Sequence, residues 1–93
     1  MKVLLVEDDP TVASYIADSL LGEGHQCITV GDGAAGYREA VSQELDAVIL
    51  DVMLPELDGF TVLEKLRESG NHTPVLLLSA KSQVEDKVRG LRT

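Results

Sequence analysis

Three short, uninterrupted apolar runs, Val3-Leu4-Leu5-Val6, Ala47-Val48-Ile49-Leu50 and Val75-Leu76-Leu77-Leu78, constrain this chain more than any other feature. Each is too short for an ordinary helix and has no polar face, the pattern of a strand covered on both sides in a parallel sheet. Gln26 to Val30 reads as a further strand. Between the runs the spacing turns helical. Asp9 can cap, and Pro10 can begin, a helix with Val12, Ala13, Ile16, Ala17 and Leu20 on one face, stopped by Gly22 and Gly24. The turn Gly31-Asp32-Gly33 leads to a helix from about Ala34 to Glu44, with Tyr37, Ala40 and Val41 on one face. A third strand over Asp46 to Asp51 precedes a loop, Pro55 to Asp58, and a helix from Gly59 to Glu68 that faces inward through Val62, Leu63 and Leu66 and ends at Gly70. Ser82-Gln83-Val84-Glu85 has capping-box spacing for one more helix, carrying Val84, Val88 and Leu91, inside which the chain is expected to stop.

Strands alternating with helices require crossover connections, which are right-handed, so the expected class is a doubly wound α/β fold around a parallel sheet. The 93 residues allow one small domain and no separate effector domain. Hydrophobic residues at 44% and charged residues at 26% are ordinary globular proportions and argue against disorder.

Charge narrows the partners. With 8 Lys and Arg against 16 Asp and Glu, the formal charge of -8 opposes attraction to a phosphate backbone, and nucleic acid is not expected as a direct partner. Cys27 has no second cysteine to pair with, and beside Ile28 and Val30 it reads as a small hydrophobe. The N-terminal apolar run is too short for a signal peptide and no run reaches transmembrane length, which suggests a soluble, cytoplasmic protein with no membrane partner. His25 and His72 fall in turns, apart from any partner at ligand spacing, and are expected to face solvent. Tyr37 and Phe60 lie on helices and are read as packing residues.

Working sites in open parallel sheets lie beyond the carboxyl ends of the strands. Here the first strand ends in Glu7-Asp8-Asp9, the third in Asp51 and the fourth in Ser79-Ala80. Carboxylates a few ångströms apart raise the free energy of one another's ionised form, and a hard dication such as Mg²⁺, which takes oxygen ligands and keeps several waters, relieves that conflict. The same ion would offset charge on a phosphoryl donor while Asp51 attacks phosphorus in line. Asp9, directly before Pro10, reads as a helix cap rather than a ligand, and Lys81 as a solvated residue after a strand.

"LLVEDD", "AVILDVMLPELDGF" and "PVLLLSAK" resemble, in order and spacing, the receiver domains of two-component response regulators, and the resemblance covers essentially the whole chain. "EDKVRGL" is similar to the subgroup whose receivers precede a winged-helix DNA-binding domain, the OmpR/PhoB type. The resemblance implies a flavodoxin-like (CheY-like) fold with strand order 2-1-3-4, Asp51 as phosphoacceptor, Asp8 as direct Mg²⁺ ligand, Glu7 holding the ion through water, and Met53 lending its backbone carbonyl. It also implies that Ser79 is the hydroxyl that hydrogen-bonds a phosphoryl oxygen and moves on modification, and that a sensor histidine kinase is the partner.

The family pattern continues past residue 93 with a fifth strand bearing a lysine and a fifth helix, so residues 1–93 are expected to be an incomplete receiver. Val75 to Leu78 would then be an apolar edge open to pairing in a homodimer, through that strand or the fourth helix. The expected role is a phosphorylation-controlled switch, not an enzyme beyond self-phosphorylation from small donors and autodephosphorylation. Competing readings are a docking or dimerisation module without phosphotransfer, and a Mg²⁺-dependent phosphohydrolase, which would lack an acid at Met53. A nucleotide-binding fold is the weakest, because acids and not a Gly-rich loop follow the first strand.

Overall fold

The computed structural model describes residues 1–78. Ser79, Lys81 and the helix expected after Ser82 lie outside the described residues. The elements run β1 (Lys2–Val6), α1 (Pro10–Gly22), β2 (Gln26–Val30), α2 (Gly33–Ser42), β3 (Ala47–Asp51), α3 (Gly59–Glu68) and β4 (Val75–Leu78). All strand pairings are parallel, in the order β2-β1-β3-β4. This is the expected doubly wound, flavodoxin-like sheet. The chain steps from β1 to β2 in one direction and from β2 through β3 to β4 in the other. Right-handed crossovers therefore set α1 on one face and α2 and α3 on the opposite face, and the reversal falls between β1 and β3.

Register lines the interior. Leu4 lies opposite Val48, Val6 opposite Leu50, and Leu50 opposite Leu77, so these side chains share one face. Ala40 of α2 and Val62 and Leu66 of α3 complete that cluster. Each fully buried leucine there contributes roughly 1.5–3 kcal/mol of apolar burial. Val3 and Leu5 point to the other face and are also buried.

Helix ends follow the sequence signals. Asp9, Asp32 and Asp58 cap α1, α2 and α3, accepting hydrogen bonds from amides two or three residues on. α1 and α3 close alike. After α1, His25 N–H donates to the Leu20 carbonyl and Gly24 N–H to that of Leu21; after α3, Asn71 donates to Leu66 and Gly70 to Arg67. These are Schellman motifs, and Gly24 and Gly70 supply the positive φ, +87° and +85°, that they require.

Some expectations are corrected. α2 begins at Gly33, not Ala34, because Asp32 takes the cap, and it ends at Ser42, short of Glu44. Its inward face is Gly33, Gly36, Tyr37 and Ala40, which turns Val41 outward, 46% exposed. Val12 and Phe60 are also exposed, so Phe60 is not the packing residue expected. β3 starts at Ala47; Asp46, just before it, meets Lys2 twice, its amide donating to the Lys2 carbonyl at 2.8 Å and its side chain accepting the Lys2 amide at 2.7 Å. His25 is half-buried, its Nδ1 lying 3.0 Å from the Met1 amino group, whereas His72 is exposed as expected. Cys27 is half-buried, and desolvation pushes its thiol pKa upward, keeping it protonated.

Candidate functional site

Two hydrogen bonds extend the sheet ladder past the strand ends and place the acidic residues. Glu7 N–H donates to the Val30 carbonyl at 3.0 Å, tying the end of β1 to β2, and Val52 N–H donates to the Leu78 carbonyl at 2.8 Å, tying the end of β3 to β4. Glu7 and Asp51 thus project from adjacent parallel strands at the same edge, beside the switch in strand order. Asp8 joins them. One carboxylate oxygen from each of Glu7, Asp8 and Asp51 lies within 4.8 Å of the others.

The three acids have different surroundings. Glu7 and Asp51 are 8% and 5% exposed, and Asp8 is exposed. Glu7 Oε1 accepts the Asp9 amide at 3.0 Å, and Asp51 Oδ1 accepts the Met53 amide at 3.1 Å, which fixes the tilt of each carboxylate. Burial pushes the Glu7 pKa up to about 7, helped by a hydrogen bond with Asp51 and by the charges of Asp51 and Asp8, while the Asp9 amide pulls it down. Near neutral pH this edge therefore holds a proton between carboxylates for part of the time. A hard cation with oxygen ligands matches the donor set and would displace that proton.

Asp9 takes no part in the cluster. Its Oδ1 accepts the Thr11 and Val12 amides at 2.9 and 3.3 Å, the cap expected from sequence. Asp58 is likewise a cap: bonds from the Thr61 amide and hydroxyl hold its carboxyl below the usual range. Met53 is 65% exposed.

Glu56 escaped sequence reasoning, as did the close contacts that Gly59 and Gly33 make. Glu56 has φ +69°, and Leu57 N–H donates to the Pro55 carbonyl at 2.7 Å, so a strained γ-turn is centred on a residue with a side chain. Gly59 stands against the end of β3: a Cβ there would strike the Asp51 carbonyl oxygen and lie 3.0 Å from Val52 Cα. Gly33 stands against the far end of the same loop. A Cβ would strike the Leu57 carbonyl oxygen and lie 2.9 Å from Val62 Cγ2. The glycines are visible in the sequence, but their opposing surfaces come from other segments.

Three carboxylates converging at the carboxyl ends of β1 and β3 narrow the class of this doubly wound α/β domain further than its fold alone. The chain belongs to the response regulator receiver domain family, whose pattern it matches over residues 3–93. It is 44% identical over 90 residues to the transcriptional regulatory protein PcoR of Escherichia coli, covering 97% of this chain and 40% of PcoR. It is 46% identical over 91 residues to the transcriptional activator protein IrlR of Burkholderia pseudomallei, covering 98% of this chain and 39% of IrlR. The chain thus spans about two-fifths of the length of these relatives.

Among solved structures, the receiver domain of Francisella response regulator 1452 superposes with a TM-score of 0.85 at 33% identity, over 98% of this chain and 75% of that one. The receiver domain of the sensor histidine kinase PA1611 from Pseudomonas aeruginosa PAO1 superposes with a TM-score of 0.82 at 33% identity, over 98% and 76%. That structure holds a magnesium ion coordinated in its active-site cleft.

Proposed function

We propose that this chain is the phosphoacceptor part of a two-component response regulator, in which Asp51 takes a phosphoryl group from a sensor histidine kinase. The observation that carries the reading is the convergence of Glu7, Asp8 and Asp51 oxygens within 4.8 Å at the carboxyl ends of the neighbouring strands β1 and β3. Asp8, Asp51 and, through water, Glu7 would hold Mg²⁺ together with the Met53 carbonyl. When bound, the ion supplies positive charge that offsets the phosphoryl oxygens and the crowded carboxylates.

The chain's own residues do the rest. A carboxylate oxygen of Asp51 attacks phosphorus as the bond from phosphorus to the donor's imidazole nitrogen breaks, giving an acyl phosphate and returning the electron pair to the imidazole. The Met53 amide fixes the other end of the nucleophile by holding Asp51 Oδ1. Ser79 would then donate its hydroxyl to a phosphoryl oxygen. The added charge of about -2 biases the loops at this edge between two arrangements, and that displacement is what a partner reads.

This role belongs in the cytoplasm, where kinase and nucleotide are, and no helix among the described residues is long and apolar enough to cross a membrane. Likeness to transcriptional regulators extends the reading to control of transcription by the whole protein, with DNA contacted elsewhere than on this acidic domain. Among the described residues β4 is an edge of the sheet, and a second copy would pair through it or through the fourth helix. Intact-mass measurement after incubation with acetyl phosphate and Mg²⁺ tests the central claim. One phosphate should be gained by the wild-type chain and none by Asp51→Asn; equal gain by both, or gain by neither, overturns it.

A further inference from the structure

We infer that the first turn of α2, through Gly33, is a positioning element for the Asp51 loop; this rests on the phosphoacceptor reading above. The loop from Val52 to Asp58 is held at both ends. At one end Gly59 N–H donates to the Val52 carbonyl at 2.9 Å, and the missing side chain of Gly59 leaves room for the Asp51 carbonyl oxygen. At the other, the Leu57 carbonyl oxygen occupies the place a side chain of Gly33 would fill. Between the two lies the γ-turn at Glu56, a conformation a residue with a Cβ keeps only when its surroundings enforce it.

The first turn of α2 is what enforces it. Asp32 anchors that turn, its Oδ1 accepting the Ala35 amide at 2.7 Å, and Gly36 closes on Val6 of the central strand, so the turn cannot retreat from the sheet without opening the core. Leu57 also packs on that core. A methyl group at Gly33 must therefore move the loop, because a backbone carbonyl cannot rotate aside as a side chain can. The displacement reaches Met53 and Asp51 along five residues whose ends are pinned. The metal and phosphorus geometry at Asp51 is thus set partly from a helix that contributes no ligand.

Gly33→Ala and Ala40→Gly separate positioning from stability, since Ala40 is buried in the same helix and its truncation weakens α2 without pushing on the loop. Mg²⁺ dissociation constants by calorimetric titration and acetyl phosphate uptake rates are measured on both and on the wild type, with melting temperatures. Gly33→Ala should weaken Mg²⁺ binding and slow uptake about tenfold or more, the scale of a misplaced catalytic group. Ala40→Gly should lower the melting temperature with both site properties within about twofold of wild type. A folded Gly33→Ala chain with wild-type Mg²⁺ affinity and uptake overturns the inference.

If Gly33→Ala does not fold, Asp32→Asn and Asp32→Ala take its place, since both remove the same charge and only Ala removes the cap. Weaker Mg²⁺ binding by the Ala variant than by Asn supports positioning, and equal binding overturns it. A wild-type chain that neither binds Mg²⁺ nor gains phosphate overturns the phosphoacceptor reading itself, and this inference with it.

Discussion

Replacing Asp51 with asparagine should make the metal-free protein more stable, not less. Asp51 is 5% exposed and shares an edge with two other carboxylates. At a separation of 4.8 Å a pair of unit charges repels by about 0.9 kcal/mol at the dielectric constant of water and about 3.5 kcal/mol at an effective value of about 20. Glu7 is partly protonated near neutral pH, so its pair with Asp51 carries only part of that repulsion. The asparagine oxygen can still accept the Met53 amide in place of Asp51 Oδ1. A net gain of about 1–2 kcal/mol follows, or a rise in melting temperature of roughly 5–10 °C for a domain of this size. Thermal denaturation followed by circular dichroism in EDTA, then in millimolar Mg²⁺, is the assay. Mg²⁺ should raise the wild-type melting temperature by linkage and the variant's far less, so the two curves converge or cross. An Asp51→Asn chain no more stable than wild type in EDTA, with an undiminished response to Mg²⁺, would refute the reasoning, because the carboxylates would not then be in conflict.

Three other outcomes are expected. Between about pH 4.5 and about pH 7 the folded state holds a proton on Glu7 that the unfolded chain releases, so metal-free stability should fall as pH rises through that window, by on the order of 1 kcal/mol once solvent screening is allowed for, and urea midpoints in EDTA should show a flatter profile for Glu7→Gln. Glu56→Gly should stabilise by about 0.5–1 kcal/mol, because relief of the left-handed backbone exceeds the extra freedom glycine gains when unfolded, and a higher urea midpoint at unchanged slope would show it. Asp9→Ala should lose about 1 kcal/mol with its helix cap while Asp9→Asn stays close to wild type, and both should still take up phosphate; loss of uptake in Asp9→Asn would make Asp9 a ligand after all.

Strands and helix ends were legible because their signals are local. Val3 to Val6 and Val75 to Leu78 are apolar on both faces, which only a covered parallel strand tolerates, and Asp9-Pro10 and Asp58-Gly59 carry their own capping chemistry. The acidic cluster was legible from one topological rule applied to Glu7, Asp8 and Asp51. The unforeseen features depend on contacts distant in sequence. Val41 and Tyr37 are equally apolar-looking on a helical wheel, and the close approach of Gly33 and Gly36 turns α2 so that the second packs half-buried on the core and the first is exposed. Glu56 carries no mark of its left-handed backbone, since the residue type that favours it is absent and the constraint comes from α2.

The amides of Glu7 and Val52 are the last rungs of the sheet, bonded to Val30 and Leu78, and not members of a hanging loop. Among the described residues, the electrostatic tension between Glu7 and Asp51 is consequently passed in part to the sheet backbone. It loads the four-stranded framework as a whole, and amide hydrogen exchange should report it there: cation addition slows opening across the central strands and not only beside the acids.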